Sequence, residues 1–322
     1  MDETYSSSPA RSRLATSPRA VRRASFWCDV RRDRLIYLFL LPGVLYFLVF
    51  HYLPLLGNII AFQNYSPFLG FTRSPWVGLA NFQRLFTDPD FAVALRNTLI
   101  LSILQLVFFF PLPIALALLL NSILSQSIKR MLQSILYLPH FISWVVIIAL
   151  WQRILGGDGL LNQYLREFGQ PTVNIMNNPD MFKPLAVVQL IWKETGWGTI
   201  IFLAALTKID PTLYEAAVVD GANSRARLWH ITLPGIRSVV VLVLILQLGN
   251  ILTTGFEQFY LQRNAVGADA AEVLDTFTYF RGIQGGDWGF STAVGLVKGV
   301  VGTALVLGAN LIARRLGEEG VF

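Results

Sequence analysis

Residues 97–128 read NTLILSILQLVFFFPLPIALALLLNSILSQSI and contain no Asp, Glu, Lys or Arg. A helix needs about 20 predominantly apolar residues to cross a hydrocarbon core of roughly 30 Å, so this stretch is long enough to span a membrane. The same character recurs, with isolated charges in two cases, at 35–72 (most apolar over 35–62), 131–152, 184–207, 238–256 and 290–313. The sequence therefore predicts an all-α polytopic membrane protein with six transmembrane helices.

The composition of the whole chain excludes the other broad classes. Of its 322 residues, 54% are hydrophobic and only 14% are charged, whereas a soluble domain carries about 25% charged residues. The single cysteine, Cys28, cannot form a disulfide within the chain. Neither disorder nor a disulfide scaffold fits this composition.

The net charge of +6 is concentrated before the first apolar stretch, because residues 1–34 hold eight Arg. We interpret 1–34 as a disordered basic arm that lies on anionic lipid, and 35–322 as the transmembrane domain. A nucleic-acid partner is not expected, since six membrane spans follow the arm.

The distribution of Lys and Arg predicts the orientation in the membrane. If the N-terminus is cytoplasmic, the cytoplasmic segments hold 16 Lys and Arg and the external loops hold 8. Cytoplasmic loops carry the excess of positive residues, so both termini are expected in the cytoplasm.

Segment 208–237, between the fourth and fifth stretches, is expected to form a helical hairpin. Asp210 followed by Pro211 is a typical helix start. Gly221 is expected to end this first helix at a positive φ, with neighbours that leave no room for a Cβ atom.

A second short helix, 225–230, is expected to begin at a cap formed by Asn223 or Ser224 and to end at Pro234. Such a hairpin is too small to bury a core of its own. Two interpretations stay open on physical grounds, namely docking on a partner and an amphipathic hairpin on the membrane surface.

Among Asp, Glu, Lys and Arg, the residues inside the predicted spans are Lys193, Glu194 and Lys298. An ionisable side chain at the centre of a spanning helix usually faces a cavity or a partner. Lys193 and Lys298 lie at similar depth, and adjacent helical residues point about 100° apart. We therefore predict an ion pair between Glu194 and Lys298, with Lys193 free for solute or another subunit.

The alternative is that these charges only brace helix packing. Trp192 and Trp197 flank the pair and can stack on sugar rings, and Glu257 lies at the outer end of the fifth span. The residues predicted to form a solute pathway or an intramembrane ion pair are Trp192, Lys193, Glu194, Trp197, Glu257 and Lys298.

Segment 208–237 contains the motifs Glu215-Ala216-Ala217, Asp220-Gly221-Ala222 and Ile231-Thr232-Leu233-Pro234. Together these motifs closely resemble the EAA loop of membrane subunits of bacterial ABC importers. The resemblance implies a type I ABC importer permease fold, in which the first short helix seats in a cleft of the ATPase. The implied ATPase-coupling residues are Glu215, Ala216, Ala217, Asp220, Gly221 and Ala222.

Two other stretches, FLLPG at 39–43 and WVGLANF at 76–82, resemble carbohydrate-uptake permeases. Three further stretches, YLPHFISW at 137–144, IWKETGWG at 191–198 and LGEEG at 316–320, resemble the polysaccharide-type branch of those permeases, which includes alginate importers. The resemblance implies a second homologous permease subunit, two ATPase subunits, an extracytoplasmic solute-binding protein and a bacterial inner-membrane location. It also implies import of an oligosaccharide or polysaccharide, with alginate or a related glycan as the best candidate.

The sequence has no G-x-x-x-x-G-K-[ST] phosphate loop, so we expect no cofactor in this chain, and ATP and Mg are expected on the partner ATPases. No metal-ligand spacing and no nucleophile–base pairing is present, so catalysis is not expected. The alternative function is a secondary sugar transporter driven by an ion gradient. A transporter of that kind is expected to have paired acidic residues along several spans and an internal repeat, and this sequence has neither.

Overall fold

A computed structural model of the protein describes residues 33–317 and residue 320. Its α-helices are α1 (Arg34–Phe47), α2 (Leu53–Leu56), α3 (Gly70–Arg73), α4 (Ala80–Leu85), α5 (Pro89–Leu104), α6 (Pro111–Asn121), α7 (Gln126–Tyr137), α8 (Trp144–Leu155), α9 (Leu160–Glu167), α10 (Pro179–Leu206), α11 (Pro211–Val219), α12 (Ser224–Arg227), α13 (Leu233–Gly249), α14 (Phe256–Val266), α15 (Ala268–Ala271), α16 (Leu274–Thr278) and α17 (Trp288–Arg315). Strand-like pairing in this part of the chain is limited to one bridge between Gln63 and Trp76. The predicted arm lies outside the described residues, apart from residues 33 and 34.

The chain divides into two units, 1–58 and 59–322. In the first unit, residues 34–56 are helical and every side chain among them is exposed. The sequence of this helix is apolar on all sides, which is the pattern of a helix surrounded by lipid rather than by water.

Five helical stretches between residues 33 and 317 are long and apolar enough to cross a membrane: Arg34–Phe62, Pro89–Asn121, Trp144–Glu167, Ser224–Gly249 and Trp288–Arg315. The 28-residue helix α10 is equally long, but Lys193 and Glu194 interrupt its apolar character. With α10 the described residues contain six long helical segments, which is the number that the sequence predicts, although the third differs in position.

The predicted third span, 131–152, is wrong as a single helix. Helix α7 ends at Tyr137, a 3-10 turn follows at Leu138–Phe141, and α8 begins only at Trp144. Pro139 lacks a backbone N–H, and Ile142 and Ser143 are extended, so the helical hydrogen-bond ladder cannot continue through this segment.

Three of the prolines inside the long helices are preceded by π-helical turns. The segments Leu48–Tyr52, Gln105–Phe109 and Leu228–Thr232 end just before Pro54, Pro111 and Pro234, respectively. A wider turn accommodates the proline ring and the missing backbone donor, so these helices continue through the proline. The expectation that Pro234 ends a short helix is therefore wrong.

Helix α10 is the central element of residues 59–317. It packs against α6, α7 and α13 and against the short helices α14 and α15. A Cβ atom on Gly196 would collide with the carbonyl oxygen of Leu136, so glycine is what allows α7 to approach α10 this closely. One end of α10 is buried with Ile236 of α13, and the other end with Phe259 of α14.

Candidate functional site

Helix α11 begins at the predicted cap. The Asp210 Oδ1 atom accepts a hydrogen bond of 2.9 Å from the Thr212 backbone N–H. This hydrogen bond, together with that of the Thr212 side chain, lowers the pKa of the Asp210 carboxyl below its ordinary value. Because the folded pKa is the lower one, the charged cap stabilises α11 above the unfolded pKa, and this contribution is lost as the pH falls through the folded pKa.

Helix α11 also ends where predicted, at a glycine with φ of +76°. The predicted steric crowding at Gly221 is wrong, since an added Cβ atom would meet nothing within 4 Å. The requirement for glycine at this position therefore comes from the backbone conformation alone.

The chain after Gly221 forms one long helix instead of a short one. The Asn223 Oδ1 atom caps α12 by accepting a hydrogen bond of 2.8 Å from the Ala226 N–H. The helix then continues from α12 through the π-helical turn into α13. The hydroxyl groups of Tyr214 and Thr232 lie 3.0 Å apart, so α11 is held against this long helix by a hydrogen bond.

The side chains implied in ATPase coupling lie on the accessible part of segment 208–237. Glu215, Ala216, Asp220 and Gly221 are exposed, and Ala217 and Ala222 are half-buried. Glu215 forms no ion pair with any residue that the structure describes. The hairpin thus presents a small-residue face with an uncompensated carboxylate beside it.

The interrupted third span is held by a charge on α10. The Lys193 Nζ atom donates hydrogen bonds to the backbone carbonyls of His140 at 2.6 Å and Ile142 at 2.8 Å. Lys193 is only 7% exposed. The ammonium group therefore replaces the helical hydrogen bonds lost at the break between α7 and α8, and the expectation that Lys193 is free for solute is wrong.

Glu194 lies beside the same break. Its Oε2 atom is 2.7 Å from His140 Nδ1, and its Oε1 atom is 3.7 Å from Lys193 Nζ. The His140 ring stacks on the indole of Trp197 with a centroid distance of 4.3 Å and an interplanar angle of 3°. These four residues form the central cluster, defined as His140, Lys193, Glu194 and Trp197.

Lys298 does not pair with Glu194, so that prediction is wrong. The Lys298 ammonium pairs with Asp275 of α16. Of the remaining predicted residues, Trp192 packs edge-on against Trp151 at 6.5 Å, outside the central cluster. Glu257 is exposed in the first turn of α14 and has no ion pair within the described residues.

Three buried glutamines hold α14 on α10. The Gln189 Oε1 atom accepts hydrogen bonds of 3.0 Å from both Gln258 Nε2 and Gln262 Nε2. Gln258 Nε2 also donates to the Ala186 carbonyl at 2.8 Å. Sequence reasoning missed this cluster; the i and i+4 spacing of Gln258 and Gln262 was the available signal.

Sequence reasoning also missed His140 and Asp275 as partners of the intramembrane charges. His140 falls within the YLPHFISW motif at 137–144, and Asp275 falls in the acidic segment between the last two spans. From the sequence alone, neither residue could be distinguished from the other polar residues near it, because the partner of each is more than 20 positions away.

Segments predicted to lie on the same side of the membrane contact each other. Arg84 pairs with Asp287 at 2.7 Å, and Arg281 pairs with Asp88 at 2.9 Å. These two ion pairs join the first and third predicted external loops, in agreement with the predicted grouping of those two loops.

Comparison with known proteins identifies the family. A family model described as "Binding-protein-dependent transport system inner membrane component" matches residues 91–318, which include α5 to α17 from residue 91 onward. The chain belongs to this family. It is a permease subunit, the membrane component of a carbohydrate ABC importer, and such a subunit is not itself catalytic.

Two relatives of this permease have names that refer to saccharide transport systems. The polygalacturonan/rhamnogalacturonan transport system permease protein YteP of Bacillus subtilis (strain 168) is 49% identical over 292 residues, which cover 90% of this permease and 91% of YteP. The arabinooligosaccharides transport system permease protein AraP of the same organism is 32% identical over 283 residues, which cover 87% of each chain.

A solved structure has the same fold as the permease. The crystal structure of a bacterial alginate ABC transporter in complex with alginate pentasaccharide-bound periplasmic protein contains a chain that is 38% identical, with a TM-score of 0.83. The match covers 92% of this permease and 99% of that chain. The type I ABC importer permease fold is therefore confirmed.

Proposed function

We propose that this permease forms one half of the pathway by which an oligosaccharide of uronic acid units enters the cell, driven by ATP. The observation that carries the proposal is the 49% identity with a polygalacturonan/rhamnogalacturonan permease over nine-tenths of both chains. The likeness to an alginate transporter supports the same substrate class, because alginate is also an acidic polysaccharide. Alginate itself is one candidate within this class.

Segment 208–237 is the contact with the ATPase in this proposal. The support for this contact is the geometry of α11. The helix is capped at Asp210, ends at Gly221 and is hydrogen-bonded through the Tyr214 hydroxyl to Thr232. The Glu215 side chain of α11 is exposed and forms no ion pair with any residue that the structure describes. A partner with a basic group would compensate that charge.

The central cluster lies along the proposed solute pathway. Trp197 is 44% exposed and stacked on His140, so its ring is held flat at the surface of α10. A rigid aromatic face of this kind suits contact with the apolar face of a sugar ring. Lys193 is excluded from solute contact by its bonds to the backbone.

The permease would act with a second homologous permease subunit, two ATPase subunits that bind ATP and Mg, an extracytoplasmic solute-binding protein and membrane lipid. Both termini would be cytoplasmic in the inner membrane of a bacterium. Alternating access is the proposed mechanism, with closure of the ATPase pair transmitted through Glu215 to Ala222.

The test is reconstitution of the complete importer in proteoliposomes without an ion gradient. We expect ATP to drive uptake of trigalacturonate or an alginate trisaccharide, and a non-hydrolysable ATP analogue to give none. Uptake of a neutral arabino-oligosaccharide, compared with uptake of the acidic trisaccharides, measures the preference for acid groups. Uptake that needs an ion gradient but no ATP would favour the secondary transporter instead.

A further inference from the structure

A groove lies at the start of α17, apart from the central cluster. It has a volume of about 370 Å³ and lies between α14, α16 with its π-helical extension, and α17. The side chains that give it its chemical character are Phe256, Asp275, Thr278, Tyr279, Trp288 and Thr292. None of them belongs to segment 208–237 or to α10.

Aromatic side chains form the apolar part of the groove. The Phe256 and Tyr279 rings meet edge to face with centroids 5.1 Å apart, and Tyr260 stacks behind Phe256 at 5.1 Å. Trp288 contributes a third aromatic side chain from the first position of α17. Because the Phe256, Tyr260 and Tyr279 rings contact one another, these three rings keep their positions when the groove is empty.

Hydroxyl groups supply hydrogen-bond acceptors beside these rings. The Thr278 hydroxyl donates to the Asp275 carbonyl at 2.9 Å, and the Thr292 hydroxyl donates to the Trp288 carbonyl at 2.8 Å. Since each hydroxyl hydrogen is used within the protein, the oxygen lone pairs remain for a ligand. The Trp288 indole N–H forms no hydrogen bond with the described residues and supplies a donor.

The charge of the groove is balanced. Asp275 pairs with Lys298, and its Oδ2 atom accepts a hydrogen bond of 3.2 Å from the Thr254 N–H. A carboxylate offers about four lone-pair positions, so both oxygens can accept a further hydrogen bond. A neutralised carboxylate accepts from sugar hydroxyls without repelling a uronate.

We infer that this groove binds one pyranose unit of the transported saccharide, with the ring against the aromatic side chains and the hydroxyls toward Asp275, Thr278 and Thr292. The inference rests on the proposed function and adds a second contact site to it. Because the groove has no net charge, it recognises the sugar ring and its hydroxyls rather than the acid group.

The test uses the complete importer in nanodiscs and, as a probe, trigalacturonate carrying a photoreactive diazirine at its reducing end. During ATP turnover, we expect cross-links in 275–292, located by mass spectrometry and suppressed by unlabelled trigalacturonate. Trp288→Leu removes the ring and should lower the labelling about five-fold, whereas Trp288→Phe should keep more than half of it. Tyr164→Leu is the control, since Tyr164 is an exposed aromatic residue of α9 outside the groove.

The outcomes separate this inference from the proposed function. If ATP-dependent uptake is normal but cross-links fall outside 275–292, or if Trp288→Leu and Tyr164→Leu label equally, the groove is not a saccharide site and the proposed function stands. If the wild-type importer takes up neither acidic trisaccharide with ATP, the proposed function fails and this site fails with it.

Discussion

The side-chain nitrogen of Lys193 lies 2.6 Å from the carbonyl oxygen of His140, across the break in the third span. One buried charge therefore joins α10 to the junction of α7 and α8. The neighbouring carboxylate of Glu194 compensates this charge and binds the His140 ring. The central cluster holds α10 to the break between α7 and α8, and it is also a candidate solute contact.

Replacing Lys193 with Met is expected to lower the free energy of unfolding by about 2–3 kcal/mol, because the carbonyls of His140 and Ile142 lose their charged donor. Thermal unfolding of the purified permease in detergent measures this change. Lys208→Met is the matched control, since Lys208 is exposed just beyond α10, and it should stay within about 0.5 kcal/mol of the wild type. Equal stability of the two variants would show that the hydrogen bonds across the break do not stabilise the fold.

A double-mutant cycle should find coupling between Lys298 and Asp275 and none between Lys298 and Glu194. For the contacting pair, Lys298→Met with Asp275→Asn, we expect a coupling energy of about 1–3 kcal/mol. For Lys298→Met with Glu194→Gln, we expect additive effects within about 0.5 kcal/mol. Unfolding in detergent is again the measurement, and the reverse order of coupling would contradict the ion pairing described here.

Gly221→Val is expected to reduce ATPase assembly and uptake, while Gly221→Asn keeps most of both. The site is sterically open, so the strain of about 1–2 kcal/mol comes only from the positive φ, which Asn tolerates better than a β-branched residue. Co-purification of the ATPase and uptake in proteoliposomes measure the effect. An equal loss of ATPase assembly and uptake in both variants would show that the added side chain, and not the backbone conformation, causes the defect.

Glu215→Gln should lower solute-stimulated ATP hydrolysis and uptake together, because it removes the charge offered to the ATPase while keeping the shape of α11. Abundance in the membrane should stay near the wild-type level, since Glu215 is exposed and forms no ion pair within the described part of the chain. Glu167→Gln, an exposed carboxylate of α9, serves as the control. Unchanged coupling in Glu215→Gln would remove this carboxylate from the proposed docking surface.

The sequence allowed most of the spans and the start and end of helix α11 to be predicted, because both depend on local properties. Apolar length decides the spans, and Asp210, Gly221 and Asn223 act on backbone groups within three residues. The sequence did not reveal the break at 138–143, because a span without charged residues has the same apolar composition whether its helix is continuous or interrupted.

The ion pairs could not be predicted from the sequence. Counting residues along a helix gives the depth of a side chain but not the direction in which it points relative to other helices. Glu194 and Lys298 have similar depth, yet each pairs with a residue of a short neighbouring segment: Glu194 with His140 of the 3-10 turn, and Lys298 with Asp275 of α16. Such segments carry free carbonyls and polar side chains that no periodic pattern reveals.

The glutamine cluster that joins α14 to α10 contains no group that titrates. The nearby loops, in contrast, are held by carboxylates such as Asp88, Glu272 and Asp287. The amide groups of Gln189, Gln258 and Gln262 neither gain nor lose a proton at physiological pH, so the hydrogen bonds that join α14 to α10 keep the same donors and acceptors whatever the proton concentration.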